Sequence, residues 1–392
     1  MLYRKLGKTD CDVSILGFGC MRLPILNGSD RGVERFDTTK GIDEEEAARM
    51  IRYAMDQGVN YLDTAYPYHQ GQSETLLGKT LQGSRDKVLL ATKLPTWLAK
   101  KRKDYERLLD EQLKRLDTSY LDVYLLHGLG RQRWLEAREL KALEFLDQIR
   151  KDGRARHVGF SFHDDVRAFK EIVDGYDWSL CQIQYNYFDE HYQAGKEGLS
   201  YAASRGLGVV VMEPLRGGKL TAQIPAEVQA IWDSAEKRRT PAEWALRWVW
   251  NHPEVSTVLS GMSAMGQVRE NIRLANDGRP NSLSEKELSI IKQVKEAYKK
   301  MLKIDCTGCA YCMPCKAGVN IPLSFSFYND MFMFNEPEMN VLLYNIMLVP
   351  DQEASNCVEC GECEEACPQH IKIMDELKTV HKTLFRQKTE DK

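Results

Sequence analysis

Residues 88–127 read VLLATKLPTWLAKKRKDYERLLDEQLKRLDTSYLDVYLLH. Val88–Lys93 is a short apolar run, Tyr105–Leu116 a longer amphipathic and charged stretch, and Asp122–His127 a second apolar run. An apolar strand, a connecting helix and another apolar strand within about forty residues form the unit that lays two strands parallel in one sheet.

The same alternation extends from Ser14 to about Ala275. Further strands are predicted at Ser14–Gly19, Tyr61–Asp63, His157–Ser161, Leu180–Tyr185, Gly208–Glu213 and Val255–Leu259. Helices are predicted at Glu44–Gln57, Trp134–Lys151 and Pro241–Asn251, the last with Thr240 as N-cap and Pro241 in the first helical position. Eight strands separated by helices predict an α/β fold, a closed (β/α)8 TIM barrel. Met1–Val13 reads as a polar hairpin able to plug one end of it. Leu283–Leu302 reads as a charged helix leading out of the barrel. The expected division is therefore a barrel over residues 1–300 and a small, mostly α-helical C-terminal domain over 301–392.

The 392 residues carry 54 Lys and Arg against 57 Asp and Glu, a formal net charge of -3. No basic excess is available along a domain to neutralise a nucleic-acid backbone, so nucleic acid is not an expected partner. Met1–Asp12 is polar and charged, and no later apolar run reaches the length of a membrane span. A cytoplasmic protein is the expectation.

In a parallel barrel the reacting groups stand where the strands end. Here the strand ends carry Asp63, Lys93, His127, Ser161, Gln184 or Asn186, and Glu213. Asp63, Lys93 and His127 close three consecutive strands, and Tyr68 follows Asp63 by five residues, so the four side chains can meet. A carbonyl being reduced needs a proton on its oxygen, and a tyrosine with a lowered pKa can deliver it. Lys93 would lower that pKa, Asp63 would hold the ammonium, and neutral His127 would orient the carbonyl. Taken singly, a Lys–Asp pair or a histidine in a core is more often structural. Trp97, Arg131 and Trp134 are expected to line the substrate pocket.

Asp63-Thr-Ala-x-x-Tyr68 with Glu74 downstream, Ala-Thr-Lys93, Leu-Leu-His127 and Val158-Gly-Phe-Ser161 together resemble the aldo-keto reductase signature, in order and context, over about residues 1–275. The resemblance implies the (β/α)8 barrel, an NAD(P)H-dependent oxidoreductase interconverting a carbonyl and an alcohol, and a small-molecule carbonyl substrate. It implies Tyr68 as acid/base, Lys93 and Asp63 as its tuning pair and His127 as carbonyl orienter. It also implies NADP or NAD bound without a Rossmann fingerprint, for which Gly17-Phe-Gly19 is no substitute. By the same resemblance, Gly19, Met21, Asp63, Ser161 and Gln182 contact the nicotinamide end. Glu213, Pro214, Leu215, Arg216, Gly217 and Gly218 would cover the pyrophosphate, and Gly261, Ser263, Gln267, Glu270 and Asn271 would grip the adenosine. Two departures are visible: Met212 and Glu213 stand where many members carry an aromatic ring, and Gln267 stands where some carry an arginine for the 2'-phosphate. Arg269 and Arg273 are the nearby basic residues.

Of 11 cysteines, eight lie between Cys306 and Cys367. Cys357-x-x-Cys360-x-x-Cys363-x-x-x-Cys367-Pro368 has the spacing of bacterial [4Fe-4S] ligation. Cys306-x-x-Cys309-x-x-Cys312-x-x-Cys315 is one residue shorter before its last cysteine and is followed by Lys316. If each fourth cysteine serves the other cluster, Cys306, Cys309, Cys312 and Cys367 hold one and Cys357, Cys360, Cys363 and Cys315 the other. Zinc is the competing reading, although structural zinc usually takes its cysteines in pairs, and disulfides are the weakest. The tail resembles the ferredoxin-type extension on one branch of the aldo-keto reductases, with Phe325, Phe327, Tyr328, Phe332, Phe334 and Tyr344 as core candidates between the two cysteine runs.

A hydride carries two electrons and a [4Fe-4S] centre passes one, and no flavin site is visible to couple them. The clusters are therefore expected to be structural, redox-sensing or matched to an external redox partner. Two rival functions remain open at this point. One is an electron-transfer protein whose barrel is a docking scaffold; the other is a redox-sensing subunit that binds the nicotinamide cofactor with little turnover.

Overall fold

A computed structural model describes residues 1–28, 40–306, 308 and 311–386. Two short strands, β1 (Tyr3–Lys5) and β2 (Asp12–Ser14), form an antiparallel hairpin. Eight more follow: β3 (Leu16–Gly19), β4 (Tyr61–Asp63), β5 (Leu89–Leu94), β6 (Leu121–Leu129), β7 (Ala155–Phe162), β8 (Leu180–Gln184), β9 (Gly208–Met212) and β10 (Val255–Ser260). Each pairs in parallel with the next and β10 returns to β3, so the eight strands close into a barrel. Closure removes the open edges that a parallel sheet would otherwise expose.

The helices are α1 (Glu44–Asp56), α2 (Gln72–Thr80), α3 (Lys103–Arg115), α4 (Arg131–Glu139), α5 (Ala142–Lys151), α6 (Val166–Asp174), α7 (Gly195–Ser204), α8 (Ala226–Asp233), α9 (Pro241–Trp250) and α10 (Met265–Ala275). Beyond them lie α11 (Glu285–Lys300), α12 (Ile321–Met333), α13 (Pro337–Met347), α14 (Glu362–Glu365) and α15 (Ile373–Leu384). Several begin on short polar side chains that satisfy otherwise orphaned amides. Thr240 Oγ1 accepts from Glu243 N at 3.1 Å with Pro241 in the first turn, and the Asp165 carboxylate accepts from Arg167 N and Ala168 N at 2.8 and 2.9 Å.

Three details depart from the sequence reading. The strand expected over Ser14–Gly19 is divided, because the chain changes partners at Ile15: its N–H donates to Leu2 O and its carbonyl accepts from Val258 N, both at 3.0 Å. The helix expected over Trp134–Lys151 is two, broken at Lys141, whose φ of 59° is incompatible with a continuous helix. Phe332, expected in a core, is 41% exposed.

The hairpin does plug one end of the barrel. Leu6 and Val13 are buried with Tyr61, Ala91, Val123, Leu125, Leu180, Val210 and Leu259 in one apolar cluster. Gly7 sits at φ 58°, and a Cβ there would fall 2.1 Å from Gly208 N, so only glycine allows the turn to press this close. The Arg4 guanidinium donates to the carbonyls of Trp250, Val255 and His252 at 2.6, 2.7 and 3.0 Å, tying the hairpin to the segment that enters β10.

The chain forms two compact units, the barrel strands lying in the first together with Thr240–Ser284. The second is built from Gly218–Arg239 and the chain from Glu285 onward. Within it α8 packs on α11, and α12, α13 and α15 pack on one another. Its core buries Ile304, Val319, Phe325, Phe327, Tyr344, Ile373, Leu377, Val380 and Leu384, with Cys367 among them. The buried Lys219 ammonium is satisfied by Asp330 at 2.5 Å and Asn340 Oδ1 at 3.0 Å, so its charge is paired as burial requires.

Candidate active site and metal centre

Four of the residues singled out in the sequence converge where β4, β5 and β6 end. Lys93 Nζ donates to Asp63 Oδ1 at 2.6 Å and to Thr64 O at 2.8 Å, and lies 3.5 Å from Tyr68 Oη. The Tyr68 ring stands edge-on to His127 at 6.1 Å between centroids, and the Trp97 ring is tilted against His127 at 5.1 Å. Register explains the meeting: Asp63 is paired with Ala91 and Lys93 with Leu125, so three neighbouring strands bring their ends to one level.

Burial pulls the Lys93 ammonium down, but Asp63 and then Tyr68 push it up further, and the net direction is up: the lysine stays charged. His127 is held well below its ordinary value, by burial first and then by the Lys93 charge, so its imidazole is neutral. Tyr68 corrects an expectation. Burial raises its phenol above the ordinary value of 10.0 and outweighs the opposing pull of Lys93, so the phenol is not unusually acidic. It is firmly protonated, which is the donor form.

Beneath the site lies a buried network. Glu74 Oε1 accepts from Thr92 Oγ1 at 2.7 Å and Gln112 Nε2 at 2.8 Å, and the same Gln112 amide lies 3.0 Å from Lys93 O. Gln112 Oε1 in turn accepts from Tyr124 at 2.8 Å. These bonds fix the backbone from which Lys93 projects.

The residues expected around the dinucleotide fall on adjoining strand ends. Gly19 is paired with Asp63, and Ser161 with Gln182. Ser161 Oγ accepts from Gly128 N at 2.7 Å, while Gln182 Nε2 lies 3.8 Å from Met212 Sδ. Gln182 Oε1 is buried and unpartnered, an acceptor that a carboxamide N–H would satisfy. Met21, two residues after Gly19, is 56% exposed. In the loop after β9, Glu213, Arg216, Gly217 and Gly218 all have positive φ, which shapes the turn that also holds Pro214 and Leu215. After β10, Ser263 N donates to Gln267 Oε1 at 2.9 Å, Asn271 Nδ2 donates to Ser260 Oγ at 3.0 Å, and Glu270 accepts from Thr240 at 2.8 Å. The N-cap of α10, Ala264, makes no side-chain cap bond, leaving that helix start open to an anion. These features fit a nicotinamide dinucleotide.

Sequence reasoning missed Arg22. Its guanidinium donates to Gly217 O at 2.5 Å, and its stem runs 3.3 Å from where a Gly261 Cβ would stand, so a cation bridges the two loops expected to hold the pyrophosphate. The pocket residues need two corrections. Trp134 is 1% exposed and packs on Trp178, and Arg131 pairs with Glu171 at 2.9 Å. Arg133 instead lies over the Trp97 ring at 4.8 Å and donates to Gly128 O at 2.9 Å. Helical periodicity could have separated these: Trp134 and Ala137 share the buried face of α4, and Arg133 lies off it.

In the second unit Cys312, Cys315, Cys357, Cys360 and Cys363 line one cavity of about 200 Å³. Cys306 and Cys363 pack against the same core that buries Cys367. Cys309 lies outside the described residues. No disulfide joins any two of the described cysteines, against a disulfide framework. Burial and the neighbouring Cys357 and Cys360 push the Cys363 thiol up, the mark of crowded thiols that a bound cation would relieve. A single zinc bonded to four sulfurs at about 2.3 Å would not need a cavity of this size. The donor set and the space fit an iron-sulfur cluster.

Known proteins give the same two parts. The profile described as Aldo/keto reductase family matches residues 16–296, and that described as 4Fe-4S dicluster domain matches residues 305–371. The uncharacterized oxidoreductase YqkF of Bacillus subtilis is 27% identical over 323 residues, covering 74% of this chain and 96% of its own. L-galactose dehydrogenase of Arabidopsis thaliana is also 27% identical over 323 residues, covering 76% and 95%. The solved holo form of aldo-keto reductase AKR11C1 from Bacillus halodurans is 28% identical with a TM-score of 0.62, covering 75% of this chain and 96% of its own. No helix among the described residues is long and apolar enough to cross a membrane. With the family match spanning most of the barrel unit and the dicluster match the cysteine runs, the chain belongs to the aldo/keto reductase family, an NAD(P)H-dependent oxidoreductase carrying a 4Fe-4S dicluster domain.

Proposed function

We propose that the barrel interconverts a small-molecule carbonyl, an aldehyde or ketone, with its alcohol, using NADP in preference to NAD. The observation that carries this reading is the position of Lys93 Nζ, buried between Asp63 Oδ1 at 2.6 Å and Tyr68 Oη at 3.5 Å. Tyr68 gives its phenolic proton to the substrate oxygen. The Lys93 charge stabilises the phenolate left behind, and Asp63 keeps that charge in place. Neutral His127 orients the carbonyl oxygen, and Trp97 with Arg133 borders the substrate. The dinucleotide, when bound, supplies or accepts the hydride. Gly19, Met21, Asp63, Ser161 and Gln182 would hold its nicotinamide end. Glu213, Pro214, Leu215, Gly217 and Arg22 would hold its pyrophosphate, and Gly261, Ser263, Gln267, Glu270 and Asn271 its adenosine.

The preference for NADP rests on family habit, because Arg269 lies against Tyr53 and Arg273 near Glu243. Two [4Fe-4S] clusters would be held by Cys306, Cys309, Cys312 and Cys367, and by Cys357, Cys360, Cys363 and Cys315; when bound they would exchange single electrons with an external redox partner. The functional boundary is placed near residue 300 and the compartment is cytoplasmic. The test is NADPH and NADH consumption by anaerobically purified protein against a panel of aldehydes and ketones. Turnover lowered by about 10²-fold or more in Tyr68→Phe supports the reading, and turnover unchanged in that variant overturns it.

A further inference from the structure

At the opposite end of the barrel from Tyr68, the hairpin turn and the start of β7 bring three unlike donors to one point. Cys11 Sγ lies 3.3 Å from His157 Nε2 and 3.7 Å from Asp10 Oδ1, and His157 Nε2 lies 4.0 Å from Asp10 Oδ1. All three ligand atoms fall within 4.8 Å of one another. The geometry points to a divalent-cation site of the zinc class, made by Asp10, Cys11 and His157 with its fourth position open to water.

The distances suit that ion. Tetrahedral bonds of about 2.3 Å to sulfur and about 2.0–2.2 Å to nitrogen and oxygen set ligand atoms about 3.4–3.6 Å apart. The sulfur edges lie close to this, and the Asp10 carboxylate, on a side chain 95% exposed, needs only a small movement to shorten the third. A thiolate with an imidazole selects a borderline-soft ion over magnesium or calcium.

The backbone holds the donors ready. Leu6 N donates to Cys11 O at 3.0 Å, Cys11 N donates to Thr9 Oγ1 at 3.3 Å, and Thr9 Oγ1 donates to Leu6 O at 2.7 Å, so the turn that carries two ligands is braced on both sides. His157 is fixed in the sheet opposite Val123, and Cys11 packs against the apolar cluster at this end of the barrel. The nearby Arg156 is drawn off to Asp122 at 2.8 Å, which Arg85 also grips at 2.7 Å. On binding, the Cys11 thiol loses its proton to solvent, and the ion joins the hairpin to the barrel wall.

The test must see this site past the eight tail cysteines, so it reads Cys11 itself. Full-length protein with its native clusters is alkylated with iodoacetamide, with zinc titrated in, and modification at Cys11 is followed by peptide mass mapping. Mass action predicts that alkylation falls about tenfold when zinc reaches about ten times its midpoint concentration. The protection is lost in His157→Gln and weakened in Asp10→Asn, whose exposed position keeps the test decisive should the histidine variant fold poorly. In parallel, a cobalt difference spectrum, wild type minus Cys11→Ser, shows tetrahedral and thiolate-to-metal bands. No protection in the wild type, or equal protection in both ligand variants, overturns the site and leaves a thiol–imidazole hydrogen bond.

Discussion

Lys93 Nζ lies 2.6 Å from Asp63 Oδ1, with the two side chains only 1% and 3% exposed. Removing the amine from such a pair strands a buried carboxylate. Lys93→Met is therefore expected to lose about 3–5 kcal/mol of stability as well as turnover, read by urea unfolding and by kcat/KM together. Retained stability with lost turnover would mean that the carboxylate takes up a proton.

The phenol of Tyr68 should govern the alkaline side of carbonyl reduction. Reduction uses the protonated form, and burial raises its pKa above 10.0 against the pull of Lys93. The rate is thus expected to hold through neutral and mildly alkaline pH and to fall only above about 10. Tyr68→Phe should cost about 10²–10⁴ in kcat and remove that limb.

Acid acts through His127. Burial depresses its pKa well below 6.5, so at pH below 6.5 the unfolded chain binds a proton that the folded chain resists. Its contribution is full above that value and is lost as pH falls. Urea midpoints measured from pH 7.5 to 5 should decline, less steeply in His127→Gln.

Glu74 is fully buried and accepts from Thr92, Gln112 and Arg115. Glu74→Gln turns one acceptor oxygen into a donor facing donors, at an expected cost of about 1–3 kcal/mol. Because Gln112 also bonds Lys93 O, kcat/KM should drop along with the urea midpoint.

For the cysteine runs, anaerobically purified protein should contain about eight irons per chain if two cubanes are present. Cys360→Ser, at an exposed position in the cavity wall, should lower iron and visible absorbance by about half while leaving NADPH turnover by the barrel intact. Loss of turnover with the iron would tie the two chemistries together.

Much of the barrel could be read from the chain because six of the eight apolar runs stop on a polar residue, and parallel register then lines those stops up. Asp63, Lys93 and His127 were legible for that reason, and Tyr68 by its distance from Asp63. Side-chain rotation on a helix was harder: Trp134 stood out by size, yet α4 turns it inward and leaves Arg133 over Trp97. Arg22 reaches Gly217 across 195 positions, a separation at which no local pattern operates. The direction of the Tyr68 shift was hidden because it depends on burial, which outweighs the one neighbour that sequence could name. The break at Ile15 was hidden because an apolar run does not reveal which partner each of its amides will choose.

That break makes the chain's beginning a latch for its closing seam. Ile15 faces the hairpin with its amide and β10 with its carbonyl, while Arg4 clasps three carbonyls on the approach to β10. The first and last staves of the cylinder are thereby locked by residues outside it. Trimming the first five residues would strand those acceptors and invite the cylinder to spring open where its two ends meet.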